Sequence, residues 1–250
     1  VRSLSIVLVL LCFVFSMFIT NDVALIAFVP FTIDVLVMAN LKNYLIRVIV
    51  LQTIASNLGS MLTPIGNPQN LYLFSISKMT LGNFITLMLP YTLISLIGLI
   101  AACVILIDRE EAGVKVQSLN SLASREKREL IVYILMFLLA LSSVARLISV
   151  YVTGLVILAM VILMDRNVLR KPDYALLLTF IFLFVFIGNM KRIPAISAGL
   201  ESIILGREII TSVLASQVIS NVPAAILLSG FTDNTPALVV GTNLGGLGTI

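Results

Sequence analysis

The feature that most constrains this chain is a break in an apolar run. Between the apolar stretches 45–55 and 71–76, residues 56–70 carry two glycines (Gly59, Gly66), two prolines (Pro64, Pro68) and three asparagines (Asn57, Asn67, Asn70). Proline has no N–H to give a helix interior, and glycine there costs about 1 kcal/mol relative to alanine. A regular helix cannot continue through these residues. The flanks, however, belong in lipid: 60% of the 250 residues are hydrophobic and 11% charged, and the mean hydropathy is +1.14. A soluble domain carries about 25% charged residues. The fold class this predicts is an all-α polytopic membrane protein. Non-helical backbone at membrane depth is tolerated only inside protein or beside a wet cavity, so the break marks an interior site.

Composition excludes several other classes. The net charge of +4 comes from basic residues in short loops between apolar runs, which orient membrane proteins and do not point to nucleic acid. There is no histidine, and Cys12 and Cys103 lie far apart in apolar runs. No disulfide framework, zinc site or haem site is expected. No cofactor is expected beyond Na⁺ or H⁺ as a coupling ion. The first apolar run, 4–19, lacks a small-residue cleavage pattern and leads straight into another, so it does not read as a signal peptide. The chain starts without Met and stops at Thr249-Ile250 in a glycine-rich stretch, and it reads as an internal fragment of a longer protein.

Roughly 20 apolar residues cross a bilayer as a helix. Residues 84–107, 130–148 and 174–190 are expected to do so, and 151–164 is shorter but continuous. Residues 4–19 and 23–39 flank Thr20-Asn21-Asp22. Two short arms with a polar tip predict a re-entrant hairpin. The polar stretch 108–129 predicts a cytoplasmic linker with a surface helix near 121–128. Further on, 209–219 leads to Ser220-Asn221-Val222-Pro223 and 224–228, and 236–240 leads to Gly241-Thr242-Asn243-Leu244-Gly245-Gly246-Leu247-Gly248-Thr249.

The two halves repeat. Ile19-Thr20-Asn21-Asp22-Val23-Ala24 parallels Ile219-Ser220-Asn221-Val222-Pro223-Ala224. Ser56-Asn57-Leu58-Gly59 with Thr63 parallels Thr242-Asn243-Leu244-Gly245 with Thr249. In both, the tip precedes the broken helix. The expected organisation is a first repeat over 1–107, a linker over 108–129 and a second repeat over 130–250, truncated at its C-terminus. If Arg2 is cytoplasmic and the first hairpin returns to its own side, 11 of the 16 Lys and Arg residues fall inside and 5 outside, as the positive-inside rule requires. The second hairpin then faces outward. Inverted repeats, each with a re-entrant hairpin and a broken transmembrane helix, are characteristic of secondary transporters that bind near the midplane.

The breaks supply oxygen-rich chemistry. Asn21, Asn57, Asn67, Asn221 and Asn243 offer donors and acceptors, and Thr20, Ser56, Thr63, Ser220, Thr242 and Thr249 add hydroxyls. Gly59, Gly66, Gly245, Gly246 and Gly248 let backbone approach a ligand. Such a set suits Na⁺ or a small oxyanion. Asp22 is an intramembrane carboxylate at a repeated tip, a candidate cation ligand or proton carrier, with a helix-terminal role as the competing reading. Asp34 and Arg146 read as interfacial or paired.

At these residues the chain resembles the ion transporter superfamily, which includes arsenite permeases, citrate transporters, divalent anion:sodium symporters and sodium/proton antiporters. The resemblance rests on Thr20-Asn21-Asp22-Val23-Ala24, Ser56-Asn57-Leu58-Gly59, Thr63-Pro64-Ile65-Gly66-Asn67-Pro68-Gln69-Asn70, Ser220-Asn221-Val222-Pro223 and Asn243-Leu244-Gly245-Gly246-Leu247-Gly248-Thr249. It implies a homodimer with a scaffold and a moving transport part, working by elevator-like alternating access. It also implies two cation sites flanking a substrate site. The first cluster would comprise Thr20, Asn21, Asp22, Asn57, Gly59, Thr63 and Gly66, with Ser56 and Asn67 beside them. The second would comprise Ser220, Asn221, Thr242, Asn243, Gly245 and Thr249. Sodium-coupled dicarboxylate members carry Ser-Asn-Thr at both tips. Here Thr20-Asn21-Asp22 looks more like the arsenite-permease side. The reading that follows is an anion permease for a citrate-like carboxylate or inorganic oxyanion, coupled to H⁺ or Na⁺. Its partners are the lipid bilayer, a small anion and a second copy, and its location is the plasma (inner) membrane if the source is prokaryotic. A cation/proton antiporter is the alternative. An intramembrane enzyme would need a nucleophile and base that the sequence does not offer, and a channel subunit fits two opposed hairpins less naturally.

Overall fold

The structure, a computed structural model, describes residues 1–109, 124–164 and 166–246. Among them the chain forms twelve α-helices, two short 3-10 turns and no strand. They fall into two compact units, one of Val1–Lys115 with Leu183–Ile250 and one of Val116–Phe182.

The first unit begins with α1 (Arg2–Phe15), α2 (Asn21–Met38), a 3-10 turn (Lys42–Tyr44), α3 (Leu45–Ser60), α4 (Pro68–Ile76) and α5 (Leu81–Leu106). Local chemistry sets most of these boundaries. Thr20 Oγ1 accepts from Val23 N to cap α2, and Thr80 Oγ1 accepts from Asn83 N to cap α5. Pro68 occupies the first turn of α4, where its missing N–H costs nothing. At the far end of α2, Asn40 takes φ 58° and Leu41 N donates to Leu36 O at 2.8 Å. This is the left-handed stop that asparagine tolerates.

α1 packs on α3, α2 on α3 and α3 on α5. Phe13, Leu36, Met61, Leu73 and Phe84 are fully buried among them. With no water to drive helices together in lipid, close backbone approach and polar ties hold such bundles. Gly59 provides the approach: a Cβ there would stand 2.0 Å from Phe13 O and 2.6 Å from Ser16 Oγ. Gln52 provides a tie, its fully buried Nε2 donating to Thr32 Oγ1 at 2.7 Å and Leu8 O at 3.1 Å. At the base of the unit Arg2 Nε donates to Ile107 O at 2.8 Å and Arg47 Nη1 to Leu106 O at 3.3 Å. Two cations thus close the C-terminus of α5, and both ends of the α1–α2 hairpin lie at that base.

The rest of this unit comprises the end of α8 (Tyr174–Met190), α9 (Pro194–Ile204), α10 (Glu208–Ile219), α11 (Asn221–Leu228) and α12 (Thr235–Gly245). α10 packs on α12, and α11 and α12 both pack on α4. Here Gly245 and Gly241 allow the close approach. A Cβ on Gly245 would stand 2.6 Å from Val213 O, and one on Gly241 1.8 Å from Ser212 Oγ. Residues 177–190 and α9 meet at 101°. The break at Lys191–Ile193, ahead of Pro194, comes where the expected span 174–190 ends, and α9 beyond it is a helix that the sequence reading did not place.

The second unit holds α6 (Ser124–Val144), α7 (Val150–Met164), a 3-10 turn (Arg166–Arg170) and the start of α8. α6 starts inside the polar stretch expected to be linker. It ends four residues short of the expected span because Arg146 turns the chain at φ 63°, with Leu147 N donating to Ser142 O at 2.9 Å. Residues 110–123 of the expected linker lie outside the described residues. By length and composition, α2 and α5 can each cross a membrane, and the bent α8–α9 pair would make a third span.

Candidate binding site at the helix breaks

The site is built around the gap between α3 and α4, in which residues 61–67 form turns. The carbonyls freed there need donors. Asn70, in the first turn of α4, turns its Nδ2 back towards Ser60 O (3.4 Å), Met61 O (3.5 Å) and Thr63 O (3.3 Å). Gly66 sits against the end of α3: a Cβ there would stand 2.1 Å from Ser60 O. Glycine is therefore required by space.

The first hairpin tip reaches this break through three bonds. Asn21 N donates to Gly66 O at 3.0 Å, and Asn21 Nδ2 donates to Asn57 Oδ1 at 3.1 Å. The Thr63 hydroxyl donates to Met17 O and accepts from Gly66 N at 3.2 Å. The second half reaches the same break through α12. Asn243 Nδ2 donates to Asn70 Oδ1 at 2.6 Å, and Asn243 Oδ1 accepts from Asn67 Nδ2 at 3.5 Å.

Asn57 and Asn243, which the sequence repeat pairs, follow one pattern. Each donates to the carbonyl one turn back on its own helix, Thr53 O at 3.1 Å and Val239 O at 2.7 Å. Each accepts from another asparagine, Asn21 and Asn67 respectively, whose own Oδ1 is buried without a partner among the described residues. Their neighbours Ser56 and Thr242 also behave alike. Both are fully buried, and both donate to their own helix, at Thr53 O and Leu238 O. Both hydroxyl protons are thereby committed to their own helices, with the oxygen lone pairs still acceptors. The packing shares an offset too: Gly59 lies on Phe13 and Ser16, and Gly245 on Val213 and Ser216.

A chain with this arrangement can be compared with known proteins. Residues 1–244 match the sequence profile of the family described as citrate transporter. The chain belongs to the citrate transporter family. It is a membrane transporter and an integral membrane protein, and the resemblance to the ion transporter superfamily read from its motifs is borne out. It is 36% identical over 253 residues to an uncharacterized transporter of Methanocaldococcus jannaschii, covering all of this chain and 68% of that protein. It is 32% identical over 253 residues to the inner membrane protein YbiR of Escherichia coli, covering all of this chain and 66% of that protein. The chain thus spans about two thirds of each relative's length. No solved structure matches it.

Within this family member, Asn21, Asn57, Thr63, Gly66, Asn67 and Asn243 come together at one break, with Thr20 capping the helix beside it. Gly59 and Gly245 hold the hairpin arms against the broken helices. Asp22 is exposed in the first turn of α2, where the helix terminus favours a carboxylate. At the second tip, Asn221 Oδ1 accepts from Val222 N at 3.1 Å and from Ser220 Oγ at 3.2 Å, so both residues bond locally. A Cβ on Gly246 would stand 2.9 Å from Asn221 Nδ2, which puts that tip beside the end of α12. Thr249 lies outside the described residues.

Three residues of the site went unassigned in the sequence reading. Asn70 joins both halves. Gln217 Nε2 donates to Gly245 O, freed at the end of α12. Gln69, 1% exposed, has neither end of its carboxamide bonded among the described residues, and an amide buried this way costs about 1–3 kcal/mol. The signal available for all three was a polar residue inside or within a turn of a break. A separate cavity of about 770 Å³ is lined in part by Lys191, Glu201, Glu208 and Asp233. With three carboxylates to one ammonium, and no residue of the α3–α4 break in its lining, it is a poor place for an anion.

Proposed function

We propose that this chain is the core of a secondary permease for a small carboxylate anion of the citrate-like class. Its halves are repeats of opposite membrane orientation, each with a re-entrant hairpin and a broken helix. The observation that carries this reading is that Asn243 of the second half closes on Asn67 and Asn70 at the break of the first. A substrate seated there touches both halves, as alternating access about a central site demands.

Two further observations support it. The first hairpin starts and returns at the base of α5, and its tip meets α3 where α3 stops, about 24 Å along at 1.5 Å per residue, whereas α5 runs about 39 Å. That depth fits a hairpin that enters and leaves on one side. The shared offsets of Gly59 and Gly245 fit a duplicated unit. The break offers neutral amides and uncapped backbone groups, and a helix N-terminus receives anions without a fixed cation. The open Asn21 Oδ1 and Asn67 Oδ1 suit a coupling Na⁺, and H⁺ is the other coupling ion to test. The mechanism is elevator-like, within a homodimer.

The test is uptake by the full-length protein in proteoliposomes under imposed Na⁺ or pH gradients, with citrate, sulfate, arsenite and Na⁺ offered in turn. Gradient-driven citrate uptake is expected. Asn243→Ala, which strands Asn70 Oδ1 and Asn67 Nδ2, is expected to lower it at least about tenfold, the equivalent of one buried hydrogen bond. Asp22→Asn is expected to cost about 0.3–1 kcal/mol of stability and to leave coupling in place. Coupling lost with Asp22→Asn would favour the antiporter or proton-carrier reading. Wild-type vesicles that move none of these solutes down any gradient would sink the permease reading.

A further inference from the structure

The end of α3 gathers three backbone carbonyls around one side chain. α3 cannot carry its ladder past Ser60, because the residue four further on is Pro64, which has no N–H. Among the described residues, no backbone N–H outside the helix reaches Ser60 O, Met61 O or Thr63 O. All three lie within 3.3–3.5 Å of a single atom, Asn70 Nδ2. Asn70 is fully buried.

The orientation of this amide is set from its other end. Asn70 Oδ1 accepts from Asn243 Nδ2 at 2.6 Å, and the reversed amide would point an oxygen at three oxygens. A carboxamide nitrogen carries two N–H groups, one fewer than the carbonyls around it. Its distances to them also exceed the usual N–H···O range of about 2.7–3.2 Å. The electropositive end of a dipole thus sits in a ring of oxygens that it serves only in part. Those oxygens lie at a helix C-terminus, which carries about half a negative charge. Unwound carbonyls at such ends are where transporters hold cations.

We propose that the Asn70 carboxamide is a built-in substitute for a cation at the end of α3. The three carbonyls would draw in a small cation, and the amide takes its place. Asn70 thereby determines that this end of the break needs no bound ion, and Asn243 holds the amide there from the second half. This role does not depend on which solute the protein carries. The ring is wide for bare Na⁺ and closer to the spacing of an ammonium ion, whose four N–H groups can serve all three carbonyls.

The experiment is thermal unfolding of the full-length protein in detergent, in choline chloride against equal concentrations of ammonium chloride and sodium chloride. Asn70→Ala is expected to melt below wild type in choline and to recover by about 2–4 °C more than wild type does in ammonium, with a smaller gain in sodium. Asn70→Asp keeps the size, loses both N–H groups and adds a charge, so its dependence on the two cations is expected to be larger. Asn243→Ala leaves the Asn70 N–H groups in place and is expected to gain no more than wild type. Na⁺ held elsewhere, at the open Asn21 and Asn67 oxygens, shifts wild type and variants alike and cancels in the comparison. If Asn70→Ala does not fold, Asn70→Asp decides alone. Variants no more sensitive to ammonium and sodium than wild type overturn the proposal and reduce Asn70 to a helix-end cap. An Asn243→Ala protein that gains as much as Asn70→Ala also overturns it, since any loosening of the break would then produce the effect. The permease reading stands or falls separately, on uptake.

Discussion

At the first hairpin tip α1 stops at Phe15 and four residues pass before Thr20 caps α2. At the second, α10 runs to Ile219 and Ser220 alone reverses the chain. The looser tip spreads its turn, and Thr20 stays in ordinary extended backbone at φ −68°. The tighter tip forces Ser220 to φ 71°, ψ 157°, a region close to glycine-only that costs about 1–3 kcal/mol. The tips are anchored differently as well. Asn21, Gly66 and Thr63 tie the first to the break beside it, whereas Asn221 and Ser220 bond within the second tip and Gln217 reaches α12 from a turn before it. The two tips, similar in sequence, thus store strain and hydrogen bonds unequally. The first tip is relaxed and tied to the neighbouring break, and the second is strained and bonded within itself.

The largest test of this contrast is packing. Gly59→Ala drives a methyl into the Phe13 carbonyl, and Gly245→Ala meets the more distant Val213 carbonyl. Overpacking of this kind costs about 1–3 kcal/mol. Thermal unfolding in detergent should therefore fall further for Gly59→Ala than for Gly245→Ala. An equal fall would remove the asymmetry. Next is Thr63→Val, which deletes the bonds to Met17 O and Gly66 N, at about 1–2 kcal/mol for the pair. Hydrogen exchange should quicken at residues 16–21 and stay unchanged at 217–222. Quickening at both tips would mean that the halves open together. The smallest expected effect is Ser220→Gly. Relief of the strained backbone, offset by glycine's extra chain entropy, should raise stability by about 1 kcal/mol, and the same change at Thr20 should lower it. A Ser220→Gly protein no more stable than wild type would show that the second tip carries no strain.

Much of the architecture was legible along the chain. The break after Ser60, the tips at Thr20 and Ser220 and the all-helical membrane class follow from where proline, glycine and asparagine interrupt apolar runs. The choice of hydrogen-bond partner was not legible. Ser56 and Thr242, expected at the site, donate one turn back to carbonyls of their own helices. Asp22, the most conspicuous charge, stays exposed in a helix's first turn while neutral amides occupy the break. The left-handed turn at Arg146 shortens an expected span, and the bend before Pro194 follows the expected span 174–190 with a helix, α9, that the sequence reading did not place.

What the sequence by itself determined is where helices must stop, because a missing N–H, a missing Cβ or a capping hydroxyl acts within a turn of its own residue. What only the tertiary structure decided is which amides meet. Asn57 and Asn243 look the same in sequence, yet one accepts from a tip and the other from a break 176 residues away. The reason is geometric. A carboxamide can donate or accept in almost any direction, so its partner is set by how closely the glycine-lined helices pack around it.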